Sequence, residues 1–559
     1  MYCAGICRFL SAILLLAWVC WTSGAVAQHT AAIATAHPLA TQAGQAILKQ
    51  GGNAFDAAVA AAAVLGVVEP YSSGIGGGGF WLLHRASDGR EVMVDARETA
   101  PAGVRREHYF DASGRPIPGA TRQGGTAVAI PGAVAGLTHV AERYGKLPLA
   151  RSLEPAIQHA REGFPVDARY AQIAALRERF LQKGTGTAIF LDQGRAPQAG
   201  FLLRQPQLAA TLERIAREGA SAFYSGRVAE AMVAAVNQAG GAWQLSDLES
   251  YRVVERPPLR FIYRGATITA AALPSAGGIA LAQTLGMLER FPTGAPGDAR
   301  YAHFVVEALR RAFYDRARYL GDSDFSPVPV ARLIDPNRVG RLAETIDPGR
   351  ATPSDALERM PVNPHEARNT THISVIDDAG NRVAATLTIN LLFGAGIVAG
   401  DTGVLLNNEM DDFTVAEAVP NAFLLQGAQA NAIEPRKRPL SSMTPTFVED
   451  ARGVLVLGAP GGSRIVSQIL LAILDYLHAR EIDVKRIAAL PRYHHQYWPD
   501  RIEIEPEGFS AEWREALAQK GHAIHVVKRR WGNLQLVFKA RDGKTAAASD
   551  LRGEGLAWY

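Results

Sequence analysis

The narrowest restriction on the fold of this 559-residue chain comes from two alternating segments joined by a dense turn cluster. The first is Asn369-Thr370-Thr371-His372-Ile373-Ser374-Val375; the second runs from Val383 to Asn390, after Asp377-Asp378-Ala379-Gly380-Asn381. In the first, Ile373 and Val375 share one side, and Thr370, His372 and Ser374 share the other. In the second, Val383, Ala385, Leu387 and Ile389 alternate with Thr386, Thr388 and Asn390. Period-two alternation is the mark of a strand with two different faces, and Asp, Gly and Asn are turn formers. A loop symmetrical about Ala379 sets Thr370 opposite Thr388, with Cβ atoms roughly 4.5–5.5 Å apart. A one-residue slip would undo that pairing.

A threonine hydroxyl is a poor nucleophile without a neighbouring base. Scission of the chain before Thr370 would supply one, because a free α-amine has an unperturbed pKa of about 7.7–8.0 and can take the hydroxyl proton. By spacing alone, two threonines on a half-buried strand are ordinary β-formers.

Further blocks decide between these readings. Phe393-Gly394-Ala395-Gly396-Ile397-Val398, Leu405-Leu406-Asn407-Asn408-Glu409-Met410-Asp411-Asp412-Phe413, Arg438-Pro439-Leu440-Ser441-Ser442-Met443-Thr444-Pro445 and Pro460-Gly461-Gly462-Ser463-Arg464 follow in order. With Asn-Thr-Thr-His-Ile-Ser-Val they resemble the γ-glutamyltranspeptidase family over nearly the whole chain after its leader.

The resemblance implies an α/β (α+β) fold, the four-layer αββα sandwich of N-terminal-nucleophile hydrolases. It implies a precursor that cuts itself between Asn369 and Thr370 into a large chain (28–369) and a small chain (370–559), which stay together as a heterodimer. Thr370 would be the nucleophile and Thr388 would orient it. The amides of Gly461 and Gly462 would form the oxyanion site, in keeping with backbone N–H groups at a helix start. Arg97, in Asp95-Ala96-Arg97-Glu98-Thr99-Ala100-Pro101, would bind the substrate carboxylate with Ser441 and Ser442. A guanidinium fork suits that task. Asn390, Glu409 and Asp412 would accept the ammonium. No cofactor or metal is implied, because the chemistry is acyl transfer from glutathione or a related γ-glutamyl compound to water, an amino acid or a dipeptide. The segment Pro420 to Gln429 resembles the lid loop of bacterial members. Phe423 stands where many have tyrosine, and Leu391-Leu392 replaces a small polar pair.

The start of the chain reads as a secretory leader, residues 1–27: Arg8, an apolar run from Phe9 to Cys20, then Ala25-Val26-Ala27. Its apolar run is too short to span a bilayer. Cys3, Cys7 and Cys20 leave with it, so no disulfide or thiolate site is expected in the mature, periplasmic or secreted protein. A net charge of +4 with interspersed signs gives no nucleic-acid footprint.

Elsewhere the sequence suggests a helix from Ala40 through Ile47, a small-residue helix from Ala57 to Val68, and strands Phe80–His84 and Val92–Asp95. Gly74-Ile75-Gly76-Gly77-Gly78-Gly79 lacks the Lys-Ser/Thr pair of a phosphate loop and reads as backbone in close approach to a site. From Leu147 to about Met360 helix dominates, with Glu154-Pro155 near a helix start. Asp322 and Asp324 read as a helix-ending turn rather than a calcium loop. Residues 350–368 read as an exposed tail, the strand near Leu534–Phe538 as returning to the main sheet, and His494-His495 as packing or hydrogen-bonding groups. Two other functions fit the sequence: a glutaryl-type cephalosporin acylase on the same fold, and a non-enzymatic secreted binding protein.

Overall fold

The computed structural model describes residues 30–357, 370–416 and 419–559. The leader and Asn369 lie outside the described residues. Two antiparallel sheets dominate. Among the described residues the first orders its seven strands Leu556–Trp558, Ala32–Thr35, Thr371–Ile376, Arg382–Thr388, Gly78–Arg85, Arg90–Ala96 and Val254–Arg256. The second orders six: Thr545–Ser549, Gln535–Ala540, Gly453–Gly458, Thr446–Asp450, Ala266–Ala270 and Leu259–Tyr263.

Side-chain alternation sends the two faces of each sheet into different layers. Ile33, Trp81, Leu83, Val94, Ile373, Val375 and Val383 pack with the helix Ala54–Val68 and its neighbours. Ala32, Ala34, Leu82, Ile376 and Ala384 face the other way and meet Phe447, Val454, Val456 and Val537 of the second sheet. The far face of that sheet, including Ile268, Val448, Leu455 and Leu536, packs on helices Gly277–Leu288, Ala299–Tyr319 and Arg464–His478. The result is an αββα sandwich. Each fully buried Val, Leu, Ile or Phe side chain in these layers contributes about 1.5–3 kcal/mol.

Helix Ala54–Val68 is buried nearly all round, as its lack of a polar face requires. Asn53 caps it: its side chain accepts from the amides of Phe55 and Asp56, both at 3.0 Å, and Asp56 reciprocates to Asn53 N at 2.9 Å. Such a box is worth about 1 kcal/mol.

The central hairpin has the register expected from its turn. Thr371 faces Leu387, Ile373 faces Ala385 and Ile376 faces Arg382, around the loop Asp377–Asn381. The second strand ends at Thr388, earlier than expected: Asn390 takes φ +71° and turns out of the sheet. Asparagine tolerates this left-handed conformation better than most residues. On the other side of Arg382–Thr388 lies Gly78–Arg85, with Thr388 facing Gly78. The glycine run is there because backbone comes too close for side chains. A Cβ would stand 2.1 Å from Leu405 O at Gly76 and 2.0 Å from Thr388 O at Gly77.

Several expectations need correction. Pro155 lies inside the helix Leu149–Glu162 rather than near its start. The strand Gln535–Ala540 belongs to the second sheet, not to the one that carries the hairpin. The described part of the expected exposed tail is anchored. Ser354 is buried, its amide donating to Asp500 at 2.8 Å and its hydroxyl to Tyr497 O at 2.8 Å, while Arg310 donates to Ser354 Oγ. Those partners come from Arg310 of the long helix and Asp500, neither of which is near residue 354 in sequence. Residues 358–369 of that stretch lie outside the described residues.

The remaining expectations on this part of the chain hold. Asp322 follows the helix Ala299–Tyr319 and accepts the amides of Asp324 at 3.1 Å and Arg438 at 2.9 Å. His494 bonds Ser467 and Gln496, and His495 bonds Asp500.

Candidate active site

Thr370 precedes the first strand of the hairpin at its open end, 7% exposed. Its hydroxyl lies 3.5 Å from Thr388 Oγ1, and that oxygen accepts the Asn390 amide at 2.8 Å. Thr370 has φ +142°, which a β-branched residue rarely adopts. Backbone held in such a region stores about 1–3 kcal/mol.

A narrow cleft, with a cavity volume of about 20 Å³, opens beside this hydroxyl. Thr370, Thr388 and Asn390 line it together with Arg97, Glu409 and Asp412. Ser441, Ser442 and Gly462 also line it, as do Phe423 and Leu425 of the segment expected as a lid. All but two of the catalytic, binding and cleavage residues expected from the sequence thus line one space. Gly461 is next to it without lining it, and Asn369 is outside the described residues.

Arg97 ends the strand Arg90–Ala96 and is fully buried. Its backbone is fixed at both ends, by Asp95 Oδ1 to its amide at 3.0 Å and by the Tyr251 hydroxyl to its carbonyl at 2.7 Å. Its Nε donates to Pro439 O at 3.2 Å. One terminal nitrogen donates to Glu409 and the other to Asp412 at 2.6 Å. Burial pulls the guanidinium pKa down, but the fields of Glu409, Asp412 and Glu98 outweigh it and hold it above its ordinary value. Burial raises both Glu409 and Asp412, against the pull of Arg97.

The acids sit on a short turn, Glu409–Asp412. Asn407 ties this turn to the glycine run: its Oδ1 accepts the Glu409 amide at 2.9 Å, and its Nδ2 donates to Gly76 O at 2.8 Å. Asn421 of the lid donates to Asp412 at 3.0 Å, and Asp411 accepts the Ala422 amide at 2.8 Å. Burial lifts Asp411 to about 6.

Glu409 Oε2 and the Ser442 hydroxyl are buried without a hydrogen-bond partner among the described residues. Each such group costs about 1–3 kcal/mol unless a ligand satisfies it. Gly461 and Gly462 (φ +132° and +58°) precede the helix Arg464–His478 and give their carbonyls to the amides of Arg464 and Ile465. Among the described residues no group of three or more His, Cys, Asp or Glu could hold a metal.

Sequence reasoning missed two groups here. Glu98 is fully buried and 3.6 Å from Arg97, and burial lifts it to about 7 despite that neighbour. It was visible only as the residue after Arg97. Arg316 is buried on the long helix, and burial depresses it to about 10 against the pull of Asp412. Nothing in its local sequence marks it.

The gamma-glutamyltranspeptidase family model matches residues 40–559. The chain belongs to the gamma-glutamyltranspeptidase family. It is 39% identical over 525 residues to the glutathione hydrolase proenzyme of Escherichia coli K12, covering 93% of this chain and 90% of that one. It is 41% identical over 518 residues to the proenzyme of the same name from Pseudomonas aeruginosa, covering 91% of each. Among solved structures, cephalosporin acylase from Bacillus halodurans superposes with a TM-score of 0.82 at 27% identity, over 95% of this chain and 96% of that one. The gamma-glutamyltranspeptidase of Helicobacter pylori gives 0.56 at 36% identity, over 57% of this chain and 92% of its own. Both agree with the αββα architecture of this gamma-glutamyltranspeptidase-family chain.

Proposed function

We propose that this chain is a self-processing γ-glutamyltransferase and glutathione hydrolase. The observation that carries the reading is one cleft in which the Thr370 hydroxyl faces a guanidinium, two acids and an unpartnered serine hydroxyl. An α-amino acid head group needs that set: donors for its carboxylate and acceptors for its ammonium.

In the precursor the Thr370 hydroxyl attacks the Asn369 carbonyl. The peptide nitrogen leaves as the Thr370 amine in an N-to-O acyl shift, and water then hydrolyses the ester. The strained φ of Thr370 favours the shift, because it is relieved once the peptide bond is gone. The products are the chains 28–369 and 370–559, held together by the shared sheet: Thr371–Ile376 pairs with Ala32–Thr35, and Arg382–Thr388 with Gly78–Arg85. The solved H. pylori chain supports this division, since it is nearly fully matched by little more than half of this one.

In the mature enzyme the Thr370 amine takes the hydroxyl proton as Oγ1 adds to the γ-carbonyl of glutathione or a related compound. Thr388 orients the nucleophile. The amides of Gly461 and Gly462 receive the oxyanion, where one such donor is worth about 2.7–4 kcal/mol. Arg97, Ser441 and Ser442 hold the substrate carboxylate; Asn390, Glu409 and Asp412 hold its ammonium. The leaving amine takes the proton, and water, an amino acid or a dipeptide then accepts the γ-glutamyl group. The leader would place the enzyme in the periplasm or outside the cell. Among the described residues no helix is long and apolar enough to cross a membrane.

The acylase superposition favours a second reading, a glutaryl-amide hydrolase. A glutaryl group lacks the ammonium that Glu409 and Asp412 are placed to accept. Turnover of γ-glutamyl-p-nitroanilide against its glutaryl counterpart tests the choice. Faster release from the γ-glutamyl compound is expected, and preference for the glutaryl compound would reverse the assignment.

A further inference from the structure

Three carboxyl groups surround Arg97, yet only two bond it. Glu409 and Asp412 each accept a guanidinium hydrogen bond, whereas neither oxygen of Glu98 has a partner among the described residues. Glu98 is 0% exposed, and Arg97 Nη1 lies 3.6 Å from its carboxyl. The space it fills exists because residue 78 is glycine: a methyl there would lie 2.7 Å from Glu98 Cδ.

We propose that Glu98 is a positioning residue that works as the neutral acid, so that no third negative charge competes with the α-carboxylate of the substrate for Arg97, and that its ionisation weakens substrate binding. This rests on the γ-glutamyl reading above and deepens it.

The charges around Glu98 support the neutral form. Arg97 and Arg316 are the cations of the cluster; Glu98, Glu409 and Asp412 are its acids. With two positive groups against three carboxyls, the buried set is neutral only when one acid keeps its proton. Interacting carboxyls titrate as a set, and burial raises all three. Geometry favours the proton on Glu98, the one that accepts no hydrogen bond from Arg97, because a buried carboxylate without a cationic donor is the costliest of the alternatives. The other groups facing it do not change the count. Asp95 is matched by Arg256 at 2.8 Å and Arg438 at 3.4 Å. Tyr224 and Tyr251 are phenols that burial keeps neutral.

An amino acid ligand brings a carboxylate and an ammonium together, so it leaves this balance intact while Glu98 is protonated. Once Glu98 ionises, its negative charge competes for the guanidinium and repels the incoming carboxylate. Burial puts that ionisation near pH 7.

The test is calorimetric binding of L-glutamate to the mature enzyme between pH 6 and 8.5, for wild type and Glu98→Gln. Wild type should lose affinity by roughly 10- to 30-fold over that range, following the protonated fraction. The Gln variant, which mimics the neutral acid, should bind like wild type at pH 6 and stay within about threefold of that value at pH 8.5. Titration of the Thr370 amine contributes equally to both proteins. A flat wild-type profile overturns the proposal without any variant, and so do parallel profiles of the two proteins. Absence of L-glutamate binding at every pH would instead remove the γ-glutamyl reading on which the proposal stands.

Discussion

The phenyl ring of Phe423 lies on Gly462, so close that a methyl built on the glycine would stand 2.2 Å from Cδ1 and 2.5 Å from Cε1. The ring therefore packs directly on the glycine proposed for the oxyanion site. Gly462→Ala pushes the ring away and also forces alanine to φ +58°, at about 1 kcal/mol. We expect kcat/KM to fall about tenfold or more, equivalent to about 1.4 kcal/mol. Phe423→Ala in the same chain should recover part of the KM and none of the kcat. Steady-state kinetics of the single and double variants decide this.

Thr370 and Thr388 give a second expectation. Thr370→Ala should migrate as one uncut chain on a denaturing gel and release no p-nitroaniline. Mass spectrometry of wild type should find a chain that starts at Thr370. Thr388→Ala removes both the partner of the nucleophile and the acceptor of the Asn390 amide. A kcat loss of about 10- to 100-fold with little change in KM is expected, since misplacing reacting atoms is a kcat effect. Thr388→Ser should restore most of it, and full activity of Thr388→Ala would end the role assigned to that hydroxyl.

How much of this was legible in the sequence depends on range. The hairpin register could be read because everything that sets it lies within residues 370–390: a symmetrical turn and strict alternation. The sequence could not reveal that Asn390 leaves the strand, since a single left-handed residue leaves no periodic trace. Long-range pairings were equally hidden. Arg97 meets Glu409 across 312 residues of chain, and Ser354 meets Asp500 across 146. The glycines at 461 and 462 drew attention through family resemblance, whereas the reason for the second, the Phe423 ring, is a packing fact. Arg316 and the unbonded state of Glu98 exist only in three dimensions.

His372 carries a pH-linked expectation. It lies between the sheets, 0% exposed, bonded to Thr386 Oγ1 at 2.8 Å. Burial depresses it from the ordinary 6.5 to about 3. A group lowered on folding contributes stability that is intact above its unfolded value and is lost as pH falls toward the folded one. The loss therefore runs from about pH 6.5 down to about 3, at up to about 1.4 kcal/mol per unit. His372→Asn cannot charge. It should be the less stable protein at pH 7, and its Tm deficit should shrink steadily between pH 6.5 and 4.5. A deficit independent of pH, measured by scanning calorimetry, would show that the imidazole does not stay neutral in the fold.

Arg97 should reveal two roles that separate by substitution. Arg97→Ala removes the partner proposed for the substrate carboxylate and also strips Glu409 and Asp412 of the guanidinium that bonds both. Breaking a buried ion pair from one side costs about 3–5 kcal/mol, so this variant should lose thermal stability as well as substrate affinity. Arg97→Lys keeps the charge and loses the fork. It should recover much of the Tm while KM stays raised by about tenfold or more, the scale of one lost bidentate contact. Adding Glu98→Gln to Arg97→Ala exchanges a neutral acid for a neutral amide and should return neither the stability nor the affinity. If Arg97→Ala matches wild type in Tm, the guanidinium is not what stabilises the acids, and their burial has another explanation.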